Sequence, residues 1–122
     1  MSEPASLAVA RRRSPDVFPL RLAGPLDIGA VDHVRNVLDS VARDATHVVL
    51  HCERVSAVEP AAAACLWDLC RGTERGGRRQ VRIQGLPDRF LRRLRLHPLI
   101  GYVIGEDEIF EDPFGRILPS AR

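Results

Sequence analysis

His51-Cys52-Glu53 places a base, a thiol and an acid side by side, the groups from which a Cys–His nucleophile is assembled. They lie in "THVVLHCERV", a β-branched and largely apolar run that predicts a central strand covered on at least one face. Neighbours on a strand point to opposite faces, so His51 and Cys52 cannot hydrogen-bond to each other. His51 and Glu53 share a face but have no nucleophile beside them, and they read as polar residues at a strand's end. His33, His47 and His97 are scattered without metal-ligand spacing. Cys52, Cys65 and Cys70 are odd in number, lack C-x-x-C spacing and sit inside apolar patterns, as core thiols do.

Two further stretches imitate ligand sites. "EDEIFED" lacks the alternating acids and turn glycine of a calcium loop, so a solvated helix face is expected there. The glycines of "RGGRRQ" precede a strand instead of opening a helix, so they do not cradle phosphate. No convergent set remains, and the expectation is a protein without catalysis, metal or cofactor.

All 18 basic residues are arginines, nearly balanced by 16 acids to a net charge of +2. Such a balance creates no field that would gather a polyanion. Arg89, Arg92, Arg93 and Arg95 on "DRFLRRLRL" have the chemistry to grip phosphates. No aromatic platform or groove-reading motif accompanies them, so they are assigned to a solvated outer face and nucleic acid is not expected.

The elements that must position these groups follow from pattern. "SLAVAR" and "DVFPLRLAG" form an N-terminal hairpin over residues 6–23, turning at Pro15 and Asp16, and "GPLDIG" reads as a loop. Val31, Val34, Val37, Leu38 and Val41 recur at helical spacing, predicting a helix over 30–42. A second helix runs from Pro60 to Glu74, proline being comfortable in a first turn, and "RGG" stops it. "RQVRIQG" alternates as a strand, and "PDRFLRRLRL" is a third helix with Phe90, Leu91 and Leu94 inward. "LIGYVIG" reads as a last strand, and "EDEIFEDPFG" as a terminal helix in an acidic tail over 105–122.

The order β-β-α-β-α-β-α-β predicts an α/β fold: one domain over residues 1–122, a mixed four- to five-stranded sheet with helices packed on it. The apolar run of "MSEPASLAVARRR" is too short for a signal peptide, and no segment reaches the ~18 apolar residues of a membrane span. A cytoplasmic protein without direct membrane insertion is expected.

From about Val17 to Ile104 the chain resembles the STAS family, the domain shared by anti-sigma factor antagonists and sulphate transporters. The matching features are "LAGPLD", "HVVLHCERVSAV", "EPAAAACL" and "GGRRQVRIQGLPDRFLRRLRLHPLIGYV", in that order. Gly24-Pro25-Leu26-Asp27 stands where similar proteins carry Gly-x-Leu-Asp, and His97-Pro98-Leu99 where a third helix ends near Gly-Leu or its equivalent.

The resemblance implies a non-catalytic domain that binds another protein. Family members commonly begin the second helix with Asp-Ser-Ser-Gly, whose second serine a partner kinase phosphorylates. Laid on this chain the motif falls on Glu59-Pro60-Ala61-Ala62, so the usual acceptor position is Ala61 and no phosphorylation is expected there. Ser56, three residues before the acid, is not taken as a substitute acceptor. The implied partner surface is Gly24, Asp27, Ser56, Glu59, Pro60, Ala61 and Ala62. The implied partner is an ATPase-fold anti-sigma factor or serine kinase; a homodimer is open as well. Two alternatives stand beside this: a STAS subunit on the ATPase of an ABC-type lipid-transport complex, and a ligand-binding sensor module.

Overall fold

Alternation of apolar residues builds the sheet from its second strand outward. A computed structural model describes residues 5–9, 17–40, 46–76, 79–104, 110–111 and 117–118. In strand β2 (Val17–Leu26), Phe18, Leu20 and Leu22 pack into the main core while Val17 belongs to a smaller cluster on the opposite face. Strand β1 (Ser6–Val9) lies antiparallel to β2, with Leu7 opposite Leu22. Strand β3 (His47–Val58) runs parallel to β2, β4 (Gln80–Gln84) parallel to β3, and β5 (Val103–Ile104) parallel to β4. The sheet order β1-β2-β3-β4-β5 is the chain order. A mixed five-stranded sheet in one α/β domain results.

Helix α1 (Ile28–Ser40) links β2 to β3, α2 (Pro60–Arg75) links β3 to β4, and α3 (Asp88–Arg93) leads from β4 to a 3₁₀ turn at Pro98–Tyr102. Parallel neighbours joined in chain order by right-handed crossovers place all their helices on one face. Accordingly Val31 and Val34 of α1, Leu66 and Cys70 of α2 and Phe90 of α3 share a core with Val48, Leu50 and Cys52 of β3 and Ile83 of β4. Each fully buried leucine there contributes about 1.5–3 kcal/mol. β3 is covered on both faces over its first half: His47, Val49 and His51, which alternate with the core-facing residues, are buried too. That explains why the run is apolar without clean alternation.

Several sequence expectations change. Gly24, Pro25 and Leu26 are the end of β2, not a loop, and pair with β3. β1 reaches only to Ala23, so Pro25 lies where β2 has one neighbour and its missing N–H breaks no ladder. α1 begins at Ile28, two residues before the expected Ala30, because Asp27 caps it. His51 sits inside β3, which continues to Val58, and not at a strand's end. Most of "LIGYVIG" is 3₁₀ turn: Pro98 opens it and His97 Nδ1 accepts from Leu99 N at 3.0 Å, leaving Val103–Ile104 as strand. In the expected terminal helix, Phe110–Glu111 (β6) instead pairs antiparallel with Ile117–Leu118 (β7). The rest of that segment, the turn at Pro15–Asp16, Val41 and Gly77 lie outside the described residues.

Candidate functional site

The carboxyl ends of β2 and β3 each pass into a helix through a single residue, Asp27 and Glu59. The two links are tied together, since Glu59 N donates to Leu26 O at 3.0 Å. Asp27 Oδ1 accepts from Ala30 N at 2.8 Å, the third residue of α1, which is the geometry of a side-chain cap. Glu59 has the extended backbone of a cap residue (φ −82°, ψ 134°), yet its side chain caps nothing. Its additional methylene carries the carboxylate past the first-turn amides that aspartate reaches. One acid at this rim is therefore occupied in holding a helix, while the other is exposed to solvent.

Pro60 occupies the first position of α2, where its absent N–H is harmless. Ala61 is exposed, whereas Ala62 and Ala63 are fully buried. The structure thus brings Gly24, Asp27, Glu59, Pro60 and Ala61 together at one end of the sheet. Ala62 is turned into the core, where small size lets the first turn of α2 approach β3. Gly24 has φ +90°, a conformation that L-residues with a side chain rarely adopt.

Ser56 stands apart for a reason visible only in the register. Gly24 pairs with Val55 and Pro25 with Ala57, so Ser56 is an inserted residue without a partner on β2. A bulge of this kind bends the strand and re-aims a side chain. Ser56, Ala57 and Val58 line a cavity of about 290 Å³ together with Arg89, Phe90 and Arg93 of α3. The Arg89 guanidinium stacks over the Phe90 ring at 4.6 Å from its centroid. Sequence reasoning placed Arg89 and Arg93 on a solvated face and did not join them to Ser56. The available signal was their spacing of four, which puts both on one side of a helix.

Among the described residues, the histidine and the buried thiols of β3 and α2 are placed as follows. His51 Nδ1 lies 3.5 Å from Glu53 Oε1, on the face opposite Cys52. Burial, with smaller contributions from the Glu53 and Cys70 charges, pushes the Cys52 thiol far above its ordinary range. Burial and Glu74 push Cys70 up to about 12, Arg82 opposing them. Both remain protonated thiols at neutral pH, the unreactive form. Among the described residues no three His, Cys, Asp or Glu side chains converge as metal ligands, and no helix is long and apolar enough to cross a membrane.

The fold recurs in solved structures. A sulfate transporter family protein from Wolinella succinogenes superposes with a TM-score of 0.62 at 22% identity, covering 72% of this chain and 75% of its own. The anti-sigma factor antagonist SpoIIAA in its unphosphorylated form gives 0.63 at 16% identity, covering 82% and 87%. The Bacillus cell fate determinant SpoIIAA in its phosphorylated form gives 0.60 at 16%, covering 82% and 90%. No curated protein sequence matches significantly. The family model of the STAS domain matches residues 8–112, most of the chain, and the protein belongs to the STAS family.

Proposed function

We propose that this protein is a non-catalytic interaction domain of the anti-sigma factor antagonist type, whose partner docks at the rim formed by Gly24, Asp27, Glu59, Pro60 and Ala61. The partner class is an ATPase-fold anti-sigma factor or kinase in the cytoplasm. The carrying observation is the start of α2: Ala61 is exposed in its first turn, and residues 59–64 contain no hydroxyl. SpoIIAA occurs in phosphorylated and unphosphorylated forms. The start of α2 in this chain has no hydroxyl to esterify, so docking at this rim is not gated by phosphate on α2.

The test is Ala61→Asp. An acid in the first turn stabilises a helix by ~0.3–1 kcal/mol, and the lower helix propensity of aspartate takes back about 0.5 kcal/mol. The monomer should therefore keep its circular dichroism and melting temperature. In a complex the new carboxylate would be desolvated near Glu59, a like charge, at about 1–3 kcal/mol or more. A partner recovered on immobilised wild-type protein should bind the variant at least tenfold more weakly by titration calorimetry. Equal affinity would show that this helix start is not an interface.

A further inference from the structure

The cavity between the bulge of β3 and helix α3 has a chemistry that partner docking at the rim leaves unused. It is lined by Ser56, Ala57 and Val58 of β3 and by Arg89, Arg93 and the buried Phe90 of α3, so its polar side chains are those of two arginines and one serine. Among the described residues, no carboxylate forms an ion pair with either arginine, including Asp88 beside them on α3. Arg35 and Arg82, by contrast, each hold an acid. Arg89 is steadied by its ring contact with Phe90. Ser56 is aimed by a bulge, the backbone device that turns a side chain out of the ladder.

We propose that this cavity binds a phosphate monoester. Two guanidiniums present a charge of +2, which a carboxylate would half satisfy and a phosphate monoester, at about −1.5 to −2 near neutral pH, would match. Guanidinium forks bind phosphate oxygens in pairs, and the Ser56 hydroxyl donates to a third oxygen. The volume of about 290 Å³ is at the lower limit of small-molecule sites, ~300–1,000 Å³, room for a phosphate on a short stem. The phosphate belongs either to a small metabolite or to a phosphorylated side chain; its chemistry at the cavity is the same. The inference is independent of docking at the rim.

The probe is inorganic phosphate, titrated into ¹⁵N-labelled protein at constant ionic strength and above the second phosphate pKa of ~6. Saturable shifts are expected at the Ser56, Ala57 and Val58 amides and at the Arg89 and Arg93 Nε–H groups. The R89Q/R93Q double variant should bind at least tenfold more weakly with an unchanged fold, both side chains being exposed. R92Q/R95Q, on the same segment but outside the cavity lining, should stay within about twofold. Equal loss in R92Q/R95Q, or shifts that never saturate, would overturn the site as general attraction to basic charge. A phosphoserine tripeptide binding more tightly than phosphate would assign the group to a protein chain, and weaker binding to a small molecule. The unphosphorylated serine tripeptide binding as well as either would overturn the proposal.

Discussion

Replacing Gly85 by alanine tests the geometry of the polar cluster beside β3 with energies that can be worked out beforehand. Gly85 follows β4 with φ +78°, and a Cβ there would stand 2.5 Å from Glu53 Cδ and Oε1 and 2.7 Å from Cγ. The left-handed backbone costs an alanine about 1–2 kcal/mol. Reduced freedom of the unfolded chain returns ~0.4–1 kcal/mol. The net intrinsic penalty is thus roughly 0–1.6 kcal/mol. Glu53 must also swing away. Its side chain is 48% exposed, so the carboxylate stays hydrated and loses only the 3.5 Å contact with His51. That displacement should cost ~0.5–1 kcal/mol, the lower range of an off-rotamer side chain.

Urea denaturation of wild type, Gly85→Ala, Glu53→Ala and the double variant separates the two parts. Gly85→Ala should lose about 0.5–2.6 kcal/mol in wild type and ~0.5–1 kcal/mol less in the Glu53→Ala background. Equal losses in both backgrounds would refute the placement of Glu53 over Gly85. A stabilising Gly85→Ala would refute the positive φ.

Three further outcomes are expected. Asp27→Ala should lower stability by ~1 kcal/mol through loss of the α1 cap, whereas Asp27→Asn, an equivalent cap residue, should lose little in the same urea assay. Glu59→Asp should raise stability by about 0.5–1 kcal/mol, since the backbone at 59 already has cap geometry and the shorter acid reaches the amides of α2; an unchanged melt would count against that geometry. Iodoacetamide with peptide mapping should label Cys65 first and Cys52 and Cys70 only on unfolding. The buried thiols also set a sign: with Cys70 raised from 9.0 to about 12, the unfolded chain loses its proton first. Their contribution to stability is therefore intact below pH 9.0 and declines as pH rises toward 12.

Much of the scaffold was legible because its signals are local. The alternation in "DVFPLRLAG", the helical spacing of Val31, Val34 and Leu38, and the proline start and glycine stop of α2 each depend on neighbours in sequence. The misreadings have local causes too. Gly24-Pro25 carries the composition of a turn, and only the absence of β1 beside it makes a strand permissible. "LIGYVIG" is apolar throughout, so neither a period of two nor of three stands out, and the turn cap from His97 decides it. The cavity was legible only as two arginines spaced to share one side of a helix, not as a site. The bulge at Ser56 is a property of the pairing of two strands, and a pair of arginines four apart looks the same on a bare surface as against a strand end.

The sheet whose order repeats the chain order also bears on how the molecule forms during synthesis. Each strand from β2 to β5 adds to the edge left by the strand before it, and none has to be inserted between two that are already paired. The closing loops are short in sequence, the condition under which chain closure costs least entropy before its contacts are made. The β1–β2 hairpin can form first on an emerging chain, then the long β2–β3 pairing that buries Leu20, Leu22 and Leu50. The β4–β5 pairing is last, and it spans only two residue pairs. A chain emerging from its amino end therefore offers each new strand an edge that is already made, and strand pairing can run in order from β1 to β5.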